Sequence, residues 1–427
     1  MSEPQQSKIS ADELCDRFTH VRETTCALVA PLAIEDFCIQ PMDDASPPKW
    51  HLAHTTWFFE TFVLKPWLSD YKAHHPLFEY LFNSYYNGVG RPFPRPQRGH
   101  LSRPTVDEVM AYRSSVQREI IQLLTVCGDD EELRRRIELG IHHEQQHQEL
   151  ILTDLKYNFG HNPLFPEYGG KITADVPVKA PGFVGFAGGV VPIGANAEGF
   201  VFDNELPAHE VLIPPFEFAD RLVSNGEFLE FVLDGGYQKP HLWLSEGWSI
   251  VETQGWNKPL YWHERDGHWF EYRLDGLSPL NLDLPVVHVS AHEAFAFAQW
   301  CDCRLPTEFE FETVLRSHSE HHEDTFLNEE RFHPAGYVSG GVMQQLRGVV
   351  WQWTASSYSP YPGYRPLPGT LGEYNGKFMS SQLVLRGGSC VTPRSHYRDT
   401  YRNFFYPPDR WQFSGIRLAR DVLQSNR

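Results

Sequence analysis

Up to about residue 160 the apolar residues of this 427-residue chain recur every three to four positions, and beyond about residue 182 they do not. The first pattern suits amphipathic helices that each bury one stripe. The second, short apolar runs broken by Gly, Pro and Asn, suits strands and turns. The chain therefore reads as multidomain, α followed by α+β. A helix bundle is expected over 8–162, a linker over the Pro- and Gly-bearing stretch 163–182, and a loop-rich α+β domain over 183–421.

Four helices are expected in the first part. One follows a Ser10 cap to about Leu32, with Leu14, Phe18, Val21 and Leu28 at helical intervals. A second starts near Pro47-Pro48, carries Trp50, Ala53, Trp57, Phe58 and Phe62, and should end before Pro66. A third is capped by Thr105, with Asp107 and Glu108 in its first turn and Val109, Tyr112, Val116, Ile120 and Leu124 on its apolar face. The fourth spans roughly Asp130 to Asn158. Bundles of this kind commonly hold metal between facing helices. In the second part, runs such as 188–194 read as β, and helical patterns return only at about Ser224–Leu233 and Ala291–Cys301.

The formal charge of −18 argues against nucleic acid or an anionic membrane as partner. No apolar run approaches the roughly 20 residues that span a bilayer. Residues Met1–Ser7 lack the basic and apolar regions of a signal peptide. Seven scattered cysteines do not suggest a disulfide framework, and C-x-C at Cys301-Asp302-Cys303 is a weak metal signal. A cytoplasmic location is expected.

The fourth helix contains His142-His143-Glu144-Gln145-Gln146-His147-Gln148-Glu149. His143 and His147 project from one helix face about one turn apart and can share a divalent metal. The string also satisfies H-E-x-x-H, in which Glu144 would be the general base of a zinc protease, but His161 follows without the extended third-ligand pattern. The second helix offers His51 and His54 as a third ligand, giving three nitrogens with open positions for substrate and oxygen or water. Glu149 is a candidate for fixing an imidazole tautomer.

Trp50-His51-Leu52-Ala53-His54 with His143-Glu144-Gln145-Gln146-His147-Gln148-Glu149 resembles the H…H-x3-H-x-E set of DinB-like iron domains. The second half resembles the formylglycine-generating (sulfatase-modifying-factor) fold, a C-type-lectin-like domain. Its signatures are Pro285–Ser290, Arg304–Glu310, Gly348–Thr354, Leu385–Ser389 and Gly415–Leu418. In this order the two are similar to EgtB-type sulfoxide synthases of ergothioneine biosynthesis. That resemblance implies an oxidoreductase, a hercynine oxygenase, that uses nonheme Fe(II) and O2 to join a thiol to C2 of the hercynine imidazole. It implies His54, His143 and His147 as iron ligands, with His51 and His142 outside the matched set. Gln146 would hydrogen-bond the substrate imidazole, and Arg95 and Arg98 the carboxylate of the thiol substrate. Asn403 would take the polar end of hercynine and Phe404 the surroundings of its quaternary ammonium, which favours aromatic faces.

Family members that use γ-glutamylcysteine carry an acidic residue where this chain has Phe405, so the resemblance implies free cysteine as the thiol substrate. A tyrosine should donate a proton near the iron-bound oxygen. Tyr85 and Tyr86 are favoured, and Tyr374 is the nearest alternative from the second half. Formylglycine-generating enzymes use a cysteine pair to bind copper; Cys390 stands alone here, so that activity is not expected. Weighed against the synthase are an ovothiol-type enzyme acting on histidine, which usually adds a methyltransferase domain, a noncatalytic binding module with structural metal, and the zinc protease.

Overall fold

The computed structural model describes residues 9–170, 180–196, 199–318, 325–327, 331–336 and 342–422. These form two compact units. The first gathers the chain up to His161 with Ala197–Val201 and Pro366–Asn375. The second holds Asn162–Asn196, Phe202–Arg365 and the chain from Gly376. The sequence division thus differs at Pro366–Asn375, which clusters with the helices. Residues 171–179 of the expected linker lie outside the described residues.

The first unit contains α1 (Ala11–Val29), α2 (Pro48–Phe59), α3 (Lys65–Trp67), α4 (Phe78–Phe82), α5 (Val106–Cys127) and α6 (Glu131–Gly160). Side chains cap three of them: Ser10 accepts from the Glu13 amide, Thr105 and Glu108 form a reciprocal box, and Asp130 accepts from the Leu133 amide. The anticipated apolar faces of α1, α2 and α5 are buried. α6 packs on α1 and α2, and α2 on α5. The α2–α6 approach requires glycine at 140, where a Cβ would lie 2.4 Å from Cε1 of Phe59.

The second helix does not stop before Pro66. It passes through a π turn at Glu60–Leu64 and continues as α3, with Pro66 inside. Proline cannot donate to the carbonyl four residues back. That carbonyl, Phe62 O, instead accepts from Arg136 Nη1 at 3.3 Å.

The second unit is α+β. Its helices are α7 (Asn225–Leu233), α8 (Ser245–Gln254), α9 (Ala291–Trp300) and α10 (Glu308–Ser317). The sequence reading missed α8 and α10, although Thr307 and Glu310 form a capping box at the start of α10. In chain order the strands are β1 (Phe183–Phe186), β2 (Gly189–Ile193), β3 (His209–Ile213), β4 (Phe216–Ala219), β5 (Trp262–Arg265), β6 (His268–Arg273), β7 (Gly276–Pro279), β8 (Trp351–Ser357), β9 (Leu383–Arg386), β10 (Asn403–Phe405), β11 (Ser414–Gly415) and β12 (Ala419–Asp421). They form four small sheets, ordered β1-β4-β12, β2-β3, β5-β6-β7 and β10-β9-β8-β11, antiparallel except for β11 with β8.

Phe216 and Phe218 pack with Phe311, Val314 and Leu315 of α10. Buried polar bonds tie the signature motifs to one another and to neighbouring chain: Arg417 Nε donates to Gln352 at 2.7 Å, Trp353 Nε1 to the Val289 carbonyl at 2.9 Å, and Arg402 Nε, outside the motifs, to Glu308 at 2.8 Å. These residues hold an irregular fold together, because buried polar groups left unpaired would cost about 1–3 kcal/mol each. No two cysteines form a disulfide. Among the described residues no helix is long and apolar enough to cross a membrane.

Candidate metal centre

α2 and α6 bring His54, His143 and His147 together in the interior of the first unit, each at least nine-tenths buried. One ring nitrogen from each lies within 4.8 Å of the others, and Nε2 of His54 is 3.2 Å from Nε2 of His143. Nitrogens bound cis to one ion at about 2.0–2.1 Å would be roughly 3 Å apart, so these rings are already near ligating separation. Among the described residues this is the only such group of three potential ligands.

Hydrogen bonds fix which nitrogens face inward. His54 Nδ1–H donates to the Phe82 carbonyl at 2.6 Å, leaving the Nε2 lone pair bare. Its ring is stacked between Trp50 (4.5 Å) and Trp57 (5.4 Å). His147 is held by a relay. Asp154 Oδ2 lies 3.1 Å from His51 Nε2, and His51 Nδ1 lies 2.8 Å from His147 Nδ1. With the carboxylate as acceptor, His51 donates from Nε2, and its Nδ1 accepts from His147 Nδ1–H. The Nε2 of His147 is thereby free to ligate.

Burial, followed by the mutual repulsion of the rings, holds His54 and His147 well below the usual imidazole range, and burial brings His143 to about 3. All three are neutral near pH 7, the form that binds metal. Three neutral nitrogens without a carboxylate suit a borderline divalent ion such as iron or zinc, so the donor set fits the implied metal.

Sequence reasoning did not anticipate Asp154, and it proposed Glu149 as the tautomer-fixing group. The signal was present: His143, His147 and Asp154 stand at i, i+4 and i+11 on α6, so they share one face. Asp154 also accepts from the Ser46 amide at 2.7 Å. Asp154→Asn, which weakens the acceptor at constant shape, should lower metal affinity about tenfold. Chelator competition reads that change; an unaltered affinity would remove the relay from metal binding.

Glu144 does not accompany the histidines. Its carboxylate accepts from Arg22 at 3.0 Å, Thr25 at 2.7 Å and Arg113, in a fully buried cluster beneath α1 and α5. Burial works to raise its pKa, but Arg113 and Arg22 outweigh it and hold the group below the ordinary carboxylate range. His142 also lies apart, stacked on Phe200 at 3.9 Å.

Arg98 is 3% exposed, with Cζ 3.4 Å from the centre of the Trp50 ring, and it donates to Ser46 and Ser84 hydroxyls at 2.9 and 3.0 Å. Its Nε has no hydrogen-bond partner among the described residues. Arg95 is half exposed and donates to the Asp44 carbonyl at 2.6 Å. The structure therefore separates the Arg pair into one interior and one surface residue.

Tyr86 is fully buried and stacks on Tyr85 at 4.6 Å; burial and then the charge of Tyr85 hold its phenol well above the usual range, so it stays protonated. Tyr374, on the segment that joins the first unit, lies 5.8 Å from the His143 ring and donates to Gln146 Oε1. Its neighbour Glu373 anchors that segment by accepting from the amides of Asn87 and Gly88 at 3.0 and 2.8 Å.

Asn403, Phe404 and Phe405 form β10 in the second unit, all half-buried. Phe404 stacks on Tyr358 at 4.1 Å and faces Phe378 at 5.9 Å, and Phe405 meets Trp411 edge-on.

Comparison with known proteins matches one family model to each half of the chain. The DinB superfamily model matches residues 17–151, and the sulfatase-modifying factor enzyme 1-like domain model matches residues 171–422. A DinB-type bundle carrying a three-histidine centre, followed by a formylglycine-generating-type domain, defines the class. Within it, the chain belongs to the hercynine oxygenase family, EgtB-type oxygenases of ergothioneine biosynthesis. It is 30% identical to the hercynine oxygenase of Mycolicibacterium smegmatis over 97% of this chain and 100% of that one. The Mycobacterium tuberculosis enzyme of the same name matches equally, at 30% over 97% and 100%. The formylglycine-generating enzyme of Thermomonospora curvata is 25% identical over 58% of this chain and 98% of its own.

Proposed function

We propose that His54, His143 and His147 hold Fe(II) and that the protein couples cysteine to C2 of hercynine. In the balanced reaction a thiol S–H and an imidazole C2–H are lost, one atom of O2 enters the sulfoxide and the other leaves as water. The observation that carries this reading is the buried set of three neutral imidazoles, two of them, His54 and His147, with the tautomer fixed by a hydrogen bond. Bound there, the metal supplies O2 activation; the chain supplies binding, orientation and protons.

Arg98 is the proposed partner of the cysteine carboxylate. A buried guanidinium satisfied only by hydroxyls, with Nε open, gains a charge-assisted bond when a carboxylate arrives. The exposed Arg95 adds long-range attraction. Gln146 presents its amide for the hercynine imidazole. Asn403 is assigned to the polar end of hercynine and Phe404 to the cation, whose methyl groups make dispersion and cation–π contact with an aromatic face. Phe405 places no carboxylate beside them for a dipeptide amine, which favours cysteine over γ-glutamylcysteine. Tyr86, protonated and paired with Tyr85, is the proposed proton donor.

A specific observation supports Tyr374 as an alternative donor: its ring stands beside His143 and its hydroxyl meets Gln146. Tyr86→Phe and Tyr374→Phe separate the two. The true donor variant keeps consuming O2 but diverts cysteine from sulfoxide to simple thiol oxidation.

The whole reading is tested by anaerobic loading with Fe(II), then O2 with hercynine and either thiol, followed by mass spectrometry. The sulfoxide should form, faster from cysteine. Oxygen uptake without a C–S product overturns the synthase, and faster turnover of γ-glutamylcysteine overturns the argument from Phe405.

A further inference from the structure

We propose that Cys303 and Cys301 form a two-thiol modification site in the second unit, in which Cys303 is oxidised by peroxide and Cys301 resolves the product as a disulfide. The established family activity uses neither residue.

The backbone at the end of α9 brings the two together. Cys301 caps the helix, Asp302 turns left-handed at φ 53°, and the Cys303 amide donates back to the Ala298 carbonyl at 2.8 Å. This turn ends the helix and folds Cys303 back beside Cys301. The chain then makes an antiparallel bridge between Arg304 and Ala419 of β12, with reciprocal amide–carbonyl bonds of 3.0 and 2.8 Å. In that register Cys303 faces Arg420. Arg420 Nε lies 3.3 Å from Cys303 Sγ, and its guanidinium is held 3.9 Å from the Phe183 ring centre.

Both sulfurs, with Arg420, Trp300, Phe183 and Leu418, line a cleft of about 190 Å³. That is below the roughly 300–1,000 Å³ of pockets for drug-sized ligands, so the cleft admits a small oxidant rather than a cofactor. In the reduced form each thiol donates to a backbone carbonyl, Cys301 to Ala298 and Cys303 to Cys301, both at 3.4 Å, while Arg420 gives the Cys303 sulfur a donor and a positive charge. The neighbouring Cys301 and then Arg420 bring Cys303 down to about 6 against the opposing effect of burial, while Cys303 and burial push Cys301 up. The nearby Asp302 opposes but does not reverse this. A thiolate and a protonated neighbour are the two forms that attack and resolution require.

In the first step the Cys303 thiolate attacks one peroxide oxygen. The O–O bond breaks, sulfur is oxidised by two electrons to the sulfenic acid, and hydroxide takes a proton to leave as water. In the second, the Cys301 sulfur attacks the sulfenic sulfur, an S–S bond forms, and the sulfenic oxygen leaves as a second water with the thiol proton.

The test uses the full-length protein with a chelator present to suppress iron-driven radical chemistry. At pH 7 limiting iodoacetamide should label Cys303 about tenfold faster than Cys15, Cys26, Cys38 or Cys127, since an ordinary thiol is only a few per cent ionised there. Arg420→Met should cut that rate severalfold, and Arg420→Lys should restore much of it. Hydrogen peroxide should yield a 301–303 peptide lighter by two hydrogen atoms. Cys301→Ser should instead leave a sulfenic acid at Cys303 that dimedone captures. Labelling of Cys303 no faster than Cys127, or dimedone capture at Cys301, would overturn the proposal.

Discussion

Replacing His143 with alanine is expected to lower sulfoxide formation by about a thousandfold or more, equivalent to some 4 kcal/mol of transition-state stabilisation, and to strip bound iron on desalting. His54→Ala and His147→Ala should do the same, but the three differ in their side effects. His54→Ala orphans the Phe82 carbonyl, and His147→Ala removes the partner of His51 Nδ1, so each leaves a buried polar group unmet at a cost of about 1–3 kcal/mol. His143 Nδ1 has no hydrogen-bond partner among the described residues, so its loss mainly opens space beside Phe58. His143→Ala is therefore the cleanest variant, expected to keep its fold by circular dichroism while losing metal and turnover together. Wild-type iron content or wild-type turnover in any of the three would remove that residue from the metal shell.

The parts of this site legible in the sequence were those set by short-range periodicity. The i, i+4 spacing of His143 and His147 fixes a shared helix face wherever α6 packs, and Ser10, Thr105 and Asp130 announce their helices by capping chemistry. The third ligand was open on spacing alone, because both His51 and His54 lie on α2 in reach of α6; the family resemblance favoured His54. The structure employs both: His54 sits in the three-histidine cluster, and His51 joins His147 to Asp154. What was not legible depended on tertiary context. No local pattern shows that Pro366–Asn375 clusters with the bundle and delivers Tyr374 to Gln146. Nor does it show that Arg136 satisfies the carbonyl left over by Pro66 and lets the second helix continue.

Glu144→Ala is expected to destabilise the metal-free protein by about 3–5 kcal/mol, the usual consequence of removing one partner from a buried ion cluster. The carboxylate is the anion between Arg22 and Arg113, both nearly inaccessible, and each guanidinium also donates to a backbone carbonyl of the other's helix, Arg113 O at 3.1 Å and Arg22 O at 2.9 Å. Without Glu144 two buried cations would face one another, a repulsion already visible in Arg22, which burial and then Arg113 lower to about 10. Glu144→Gln keeps the shape but not the charge, so it should also destabilise, by less, and leave metal content unchanged because the residue points away from the histidines. Denaturant unfolding of the metal-free forms measures both. A protease base would behave in the opposite way: neutralising it removes activity with little loss, or even a gain, of stability. Converting Arg22, Arg113 and Glu144 together to apolar residues of similar volume should recover much of what Glu144→Ala loses, since no buried charge then remains unmatched. If Glu144→Ala unfolds at the wild-type denaturant concentration, the cluster does not brace the bundle, and Glu144 must be reconsidered as a chemical group.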